Sequence, residues 1–283
     1  MPGLLERTIA CVDERLILLA PPKKTVPPVF AKVERSLKKH LGRLTEVQRL
    51  RGAVYLSEGA IGPNDLTKDG LHRTPEDEKG WHLLITNQEG RVTACVWYIE
   101  HHEVPHPNKL RVRDCPPALR RESKDVFWKA VESDLQIARR EQLRYVEIGG
   151  WAVAEPSRRT SEGLILALAA YSLGRMFGGA LGMTTATVRH SSSEILRRLG
   201  GSRLEADGTA VAPYYDPKYG CLMEVLRFDS RQPCPKYCGL IDLLKEKLAR
   251  AQVIVSAANV TRLPMPVHAR RFMDDRRQGR ATA

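Results

Sequence analysis

A chain of 283 residues, 42% of them hydrophobic, is long enough to bury a sizeable core as one large domain or as a domain with additions. No apolar stretch approaches the ~20 residues of a membrane span and the N-terminus lacks the pattern of a signal peptide, so we read the chain as cytoplasmic, with membrane-surface contact left open. Lys and Arg number 45 against 33 Asp and Glu, and the formal charge of +12 attracts anionic partners.

Met1 to Ala20 holds a short strand or helix, and the proline-rich spacer Pro21 to Pro28 cannot continue either. Residues 1–28 are therefore read as an N-terminal extension, 29–263 as the main domain, and 264–283 as a basic tail expected to be mobile. Phe30 to Leu41 and Thr45 to Tyr55 have helical spacing, the second with Val47, Leu50, Val54 and Tyr55 along one side. Glycines, prolines and acids make Gly59 to Gly80 a long loop. His82 to Asn87, the turn Gln88-Glu89-Gly90 and Arg91 to Ile99 form the clearest hairpin. The irregular His101 to Pro117 follows, a length of loop that is often functional. Arg120 to Arg140 is a helix with Val126, Phe127, Ala130, Leu135 and Ile137 inward.

The run Tyr145 to Gly201 carries the most information: strand, polar loop, apolar helix from about Ser161, second strand over Ala180 to Val188, and second helix over Ser192 to Leu199. Leu222 to Phe228 is a further strand, Ile241 to Ala251 a last helix, and Val253 to Val255 a last short strand. The six cysteines (Cys11, Cys95, Cys115, Cys221, Cys234 and Cys238) are scattered and expected to be reduced. Cys234 and Cys238 with His101, His102 and His106 fit no standard zinc spacing, so no metal site is assigned.

Arg158, Arg159, Thr160, Ser161 and Gly163 gather free N–H groups, hydroxyls and positive charge at one helix start, where phosphate binds well. The plainer reading is a capped helix with two solvated arginines. Taken in order, LRGAVYLSEG (Leu50 to Gly59), DGLHRTPEDE (Asp69 to Glu78), the hairpin HLLITNQEGRVTACVWYI, VEIGGWAV and YYDPKYGCLMEVLRF (Tyr214 to Phe228) resemble the GNAT acyltransferase superfamily. More narrowly, they resemble its long-chain N-acyl amino acid synthases and acyl-homoserine-lactone synthases.

The resemblance implies an α/β (α+β) fold, a GNAT-like mixed, largely antiparallel central sheet with helices on both faces. It implies no permanently bound cofactor, the phosphopantetheine of acyl-CoA or an acyl carrier protein as co-substrate, and a small amine or amino acid as acceptor. Three positions depart from the family pattern. The phosphate loop survives only as Thr160, Gly163 and Ile165. Leu196 stands where a tyrosine often serves as proton donor to the leaving thiolate, and Trp97 stands where the homoserine-lactone synthases usually carry arginine.

Acyl transfer to an amine needs a neutral amine, a polarised carbonyl and a stabilised thiolate. Glu147, within the strand expected to flank the thioester, is the candidate base; its plainer role is pairing with an arginine across the sheet. The backbone N–H of Trp151 or Val153 is the candidate carbonyl-polarising donor, with Trp151 equally readable as core. Asp69 and Asp77 are candidates for the acceptor's ammonium, and Arg51 or His72 for its carboxylate. Thr187 and Ser193 are placed to reach the pantetheine amide or sulfur, Ser193 also being a natural helix cap. A nucleic-acid-binding module, suggested by the charge and the tail HARRFMDDRRQGR, is the less favoured alternative because the basic residues are dispersed.

Overall fold

The computed structural model describes residues 4–10, 12, 15–22, 24–101 and 104–256; Cys11, His102 and the basic tail lie outside the described residues. The chain begins with α1 (Leu4–Ala10), β1 (Leu16–Leu19), β2 (Lys32–Arg35) and α2 (Leu37–Ser57). The hairpin β3 (Trp81–Thr86) and β4 (Val92–His101) follows, then α3 (Pro116–Leu119), α4 (Lys124–Arg140), β5 (Arg144–Val153), α5 (Glu162–Met176), β6 (Ala180–Thr187) and α6 (Ser192–Arg198). The short strands β7 (Ser202–Arg203), β8 (Glu205–Ala206), β9 (Thr209–Ala210) and β10 (Tyr214–Asp216) lead to β11 (Cys221–Asp229), α7 (Cys238–Arg250) and β12 (Gln252–Val255).

One sheet runs β10-β11-β6-β5-β4-β3-β1-β12-β2, with β7 added on β11. It is largely antiparallel; β5 with β6, β1 with β12 and β12 with β2 are the parallel pairs. Two expectations need correction. The stretch 1–28 is not a separate extension, because β1 lies inside the sheet between β3 and β12 with all four residues buried. Nor is Phe30 to Leu41 a helix of its own: only Leu37 to Leu41 is helical, as the first turn of α2. Val33, Leu37 and Leu41 are 42%, 51% and 51% exposed. Lys32–Arg35 instead adds an edge strand to β12, and Ser36 starts α2 by accepting from the Lys39 N–H at 3.2 Å.

The alternation of strand side chains sorts the core onto two faces. On one, Ile165, Leu168 and Leu173 of α5 and Ile241, Leu244 and Leu248 of α7 cover Val96, Tyr98 and Val146. On the other, Val47 and Val54 of α2 cover Ile17, Leu84 and Cys95, while Phe127, Val131 and Leu135 of α4 cover Tyr145, Leu181 and Met183. Each such side chain removed from water contributes about 1.5–3 kcal/mol.

Beneath α2 the core turns polar. Arg51, 1% exposed, pairs with buried Asp77 at 2.6 Å and donates to the His72 carbonyl at 2.8 Å. Asp77 also accepts from Gln48 at 2.9 Å and the Thr74 N–H at 3.1 Å. His82 sits against this pair, and burial first, then the Arg51 charge, pushes it from 6.5 to about 4. It stays neutral in the fold while the unfolded chain protonates it below pH 6.5. Stability is therefore lost as pH falls from 6.5 to 4, by about 3 kcal/mol at most. Urea unfolding at pH 7 and pH 4.5 should show a smaller drop for His82→Gln than for the wild type; equal drops would remove His82 from the acid response.

Candidate active site

The site begins where two parallel strands part. β5 pairs with β6 only from Arg144↔Ala180 to Ile148↔Thr184, and beyond that the two strands diverge. On its other edge β5 carries a bulge: Cys95 pairs with Ala152 but Trp97 with Gly149, so three steps on β5 face two on β4. The extra residue reverses side-chain parity. Val146 and Ile148 face α5 before the bulge, and Trp151 and Val153 face it afterwards.

The double glycine makes this bulge possible. Gly150 has φ +63°, and a Cβ built there would lie 2.2 Å from Trp97 Cδ1; one built on Gly149 would lie 2.4 Å from Trp97 Cζ2. The Trp97 indole therefore lies flat on bare backbone, and the Arg111 guanidinium stands 5.5 Å from the Trp97 ring centroid.

A cavity of about 150 Å³ runs through the fork. Ile148 to Trp151 form one prong and Thr184 to Thr187 the other; Tyr55, Glu58 and Arg111 flank it on the α2 side, and Ala167, Ala170 and Tyr171 come from α5. Trp151 lies against the start of α5, where a Cβ built on Gly163 would meet Trp151 Cζ2 at 3.2 Å and Val153 Cγ2 at 3.3 Å. Trp151 Nε1 is buried against the start of α5 without a hydrogen-bond partner among the described residues. Tyr55 donates to the Trp151 carbonyl at 3.4 Å, and burial pushes its phenol up, so it remains a neutral donor. Cys95 adjoins the bulge, 3.6 Å from the Gly150 carbonyl, but burial pushes its thiol up to about 12, too high for a nucleophilic thiolate.

Of the side chains singled out in the sequence, Trp151 and Thr187 line this cavity. Thr187 donates to the Arg189 carbonyl at 2.9 Å. Glu147 does not line it. Its buried carboxylate, 3% exposed by residue, accepts from the Arg111 N–H at 3.0 Å, the Val112 N–H at 3.2 Å and lies 3.1 Å from His101 Nε2. Those contacts pin the one-turn helix Arg111–Asp114 and so place Arg111.

Arg158 pairs with Glu58 at 2.9 Å, beside the Glu58 carbonyl that accepts from Arg189 at 2.9 Å; Arg159 is exposed. Thr160 donates to the Ser157 carbonyl at 2.7 Å and accepts from the Glu162 N–H at 3.3 Å, while Ser161 sits at the N-cap without a side-chain cap bond. Ser193 is buried in the first turn of α6. Arg51 and Asp77 are engaged with each other under α2, Asp69 is exposed, and the His72 ring meets Tyr55 edge-on at 5.5 Å. Tyr55, Glu58, Arg111 and Tyr171 were not singled out as site residues. A tyrosine on a helix and an arginine in an irregular segment give no local signal of a fork formed by strands far along the sequence.

No protein-family model matches the chain, and no curated protein matches it in sequence. Solved structures do. The CoA-dependent acyl-homoserine lactone synthase BjaI, solved with SAM and isopentyl-CoA, superposes with a TM-score of 0.51 at 13% identity, over 87% of this chain and 95% of that one. The acyl-homoserine lactone synthase MesI, also CoA-dependent, gives 0.48 at 12% identity over 85% and 98%. FeeM, an N-acyl amino acid synthase from uncultured soil microbes, gives 0.43 at 11% over 79% and 92%. The chain thus has the GNAT-like fold of the acyl-homoserine lactone synthases: a mixed, mostly antiparallel sheet with helices on both faces.

Proposed function

We propose that the protein is an N-acyltransferase that moves an acyl group from an acyl-CoA or acyl-carrier-protein thioester to the amine of an amino acid or similar small amine. The observation that carries this reading is the fork between β5 and β6, opened by the Gly150 bulge and continued as a cavity along α5. A forked strand pair leaves backbone groups without sheet partners, and these are fixed dipoles available to a thioester and its pantetheine arm. The solved BjaI, described with isopentyl-CoA on this fold, supports the choice of donor.

In this reading the amine attacks the thioester carbonyl, the N–C bond forms and the C–S bond breaks. The amine's proton leaves to solvent, and the departing thiolate takes up a proton from water. The Trp151 or Val153 N–H polarises the carbonyl, and the α5 start with Arg158 and Arg159 faces the donor's phosphates. Arg111, held over Trp97, is the cation on the acceptor side. Glu147 acts on the site by positioning Arg111.

The experiment is thiol release from one acyl chain presented on CoA and on a carrier protein, with pooled amino acids, at low and high salt. We expect release from both donors, and a carrier-protein advantage that shrinks as salt screens the +12 charge. No release from either donor, together with a steeply salt-dependent shift of DNA or RNA, would replace acyl transfer by nucleic-acid binding.

A further inference from the structure

Three exposed apolar side chains lie side by side where β6 ends. Tyr215 of β10 stands opposite Leu222 of β11, and the N–H of Val188, one residue past β6, donates to the Leu222 carbonyl at 2.9 Å. They are 52%, 51% and 41% exposed, in the order Tyr215, Leu222, Val188. Tyr214 and Met223, the alternate residues of the same two strands, turn to the α4 side and are buried. On the opposite face of β11, Phe228, Leu226 and Glu224 are buried and Leu222 is not. Cover therefore stops at Glu224, whose carboxylate is held by Arg197 of α6 and Arg203 of β7.

The row begins beyond the open end of the fork. Thr187, on the cavity wall, precedes Val188, and Arg189 donates to the carbonyls of Glu58 at 2.9 Å and Tyr219 at 3.5 Å, two further wall residues. Lys218 adjoins Tyr219, and Arg120 donates to the Tyr215 carbonyl at 3.3 Å. Arg120, Arg189 and Lys218 are exposed, and none has a carboxylate partner among the described residues. Two acids of this region are already engaged: Glu58 pairs with Arg158, and Asp216 accepts from the Lys218 and Tyr219 N–H groups.

A contiguous exposed apolar row flanked by unpaired cations fits a partner that is acidic and has an apolar patch of its own. The phosphates of free CoA would meet the cations and leave the row uncovered. A second copy of this chain would set like charge against like. We propose that the row docks an acidic acyl carrier protein, with Leu222 central and Arg120, Arg189 and Lys218 on the rim, so that the phosphopantetheine arm enters the fork past Thr187. The inference rests on the acyl-transfer reading and names the surface that would recognise the donor's carrier.

The test is calorimetric titration of the wild type, Leu222→Asp and Arg120→Glu with one hexanoyl chain, presented on CoA and on an acidic type II acyl carrier protein. Leu222→Asp should bind the carrier-protein donor about tenfold more weakly, and Arg120→Glu about fivefold more weakly at low salt, with the second loss fading as salt rises. Affinity for hexanoyl-CoA should stay within about twofold in both variants, which also shows that they are folded. Unchanged carrier-protein affinity, or equal losses for the two donors, would overturn the docking surface and leave acyl transfer standing. So would a wild-type dimer in sedimentation that Leu222→Asp dissociates. Carrier-protein binding that Leu222→Asp weakens, without thiol release from either donor, would keep the surface and overturn acyl transfer.

Discussion

Gly150→Ala is expected to lose acyl-thioester binding and about 2–5 kcal/mol of stability. Two costs add at this position. An alanine at φ +63° pays about 1–2 kcal/mol for the left-handed region, and its Cβ falls 2.2 Å from Trp97 Cδ1. Trp97 is 4% exposed, so its ring has little room to retreat, and overpacking typically costs about 1–3 kcal/mol. Movement of Trp97 or of the bulge alters the fork itself. Gly149→Ala separates the terms, since it brings the 2.4 Å clash without a positive φ. Urea unfolding and donor titration of both variants measure this. Wild-type affinity in Gly150→Ala would show that the bulge does not shape the donor site.

Glu147→Gln is expected to be nearly as damaging, through structure. The amide that replaces the carboxylate keeps one acceptor oxygen and turns an NH₂ either toward the Arg111 N–H and His101 Nε2 or toward the Val112 N–H. Hydrogen bonds to a charged group are worth about 1.5–3 kcal/mol each, so a loss of about 2–4 kcal/mol is expected. The Arg111–Asp114 turn should loosen, and Arg111 with it. We expect turnover to fall and the acceptor's KM to rise, with Arg111→Ala raising that KM without the stability loss. A glutamate acting as base would instead leave stability intact, lower turnover alone and flatten the acid limb of the rate profile. Stability and the acceptor's KM separate the two patterns.

The segments with strong local periodicity were legible in the sequence. β3 and β4 form where the hairpin pattern falls, and α5 and β6 follow the strand read at Tyr145 in the expected order. β1 was not, because LILL reads the same in a strand and in a helix, and only pairing with β3 and β12 decides it. Trp151 and Thr187 do line the cavity, though the sequence offered Trp151 for its backbone N–H and Thr187 for its hydroxyl. The setting of Glu147 was not. Its partners are backbone N–H groups 35 and 36 residues away, which carry no residue-type signature. Arg51 and Asp77, read as open to an acceptor, lie buried against each other. A charged pair in sequence does not reveal whether its partner is a ligand or its neighbour.

The most direct measurement is mass spectrometry of the protein incubated with a compact acyl thioester, on CoA or on a carrier protein, and pooled amino acids. Acyl transfer through the β5–β6 fork predicts a product whose mass is that of one amine plus the corresponding carboxylic acid less water, with one equivalent of free thiol. Thioester recovered intact with every acceptor and on both carriers would contradict it.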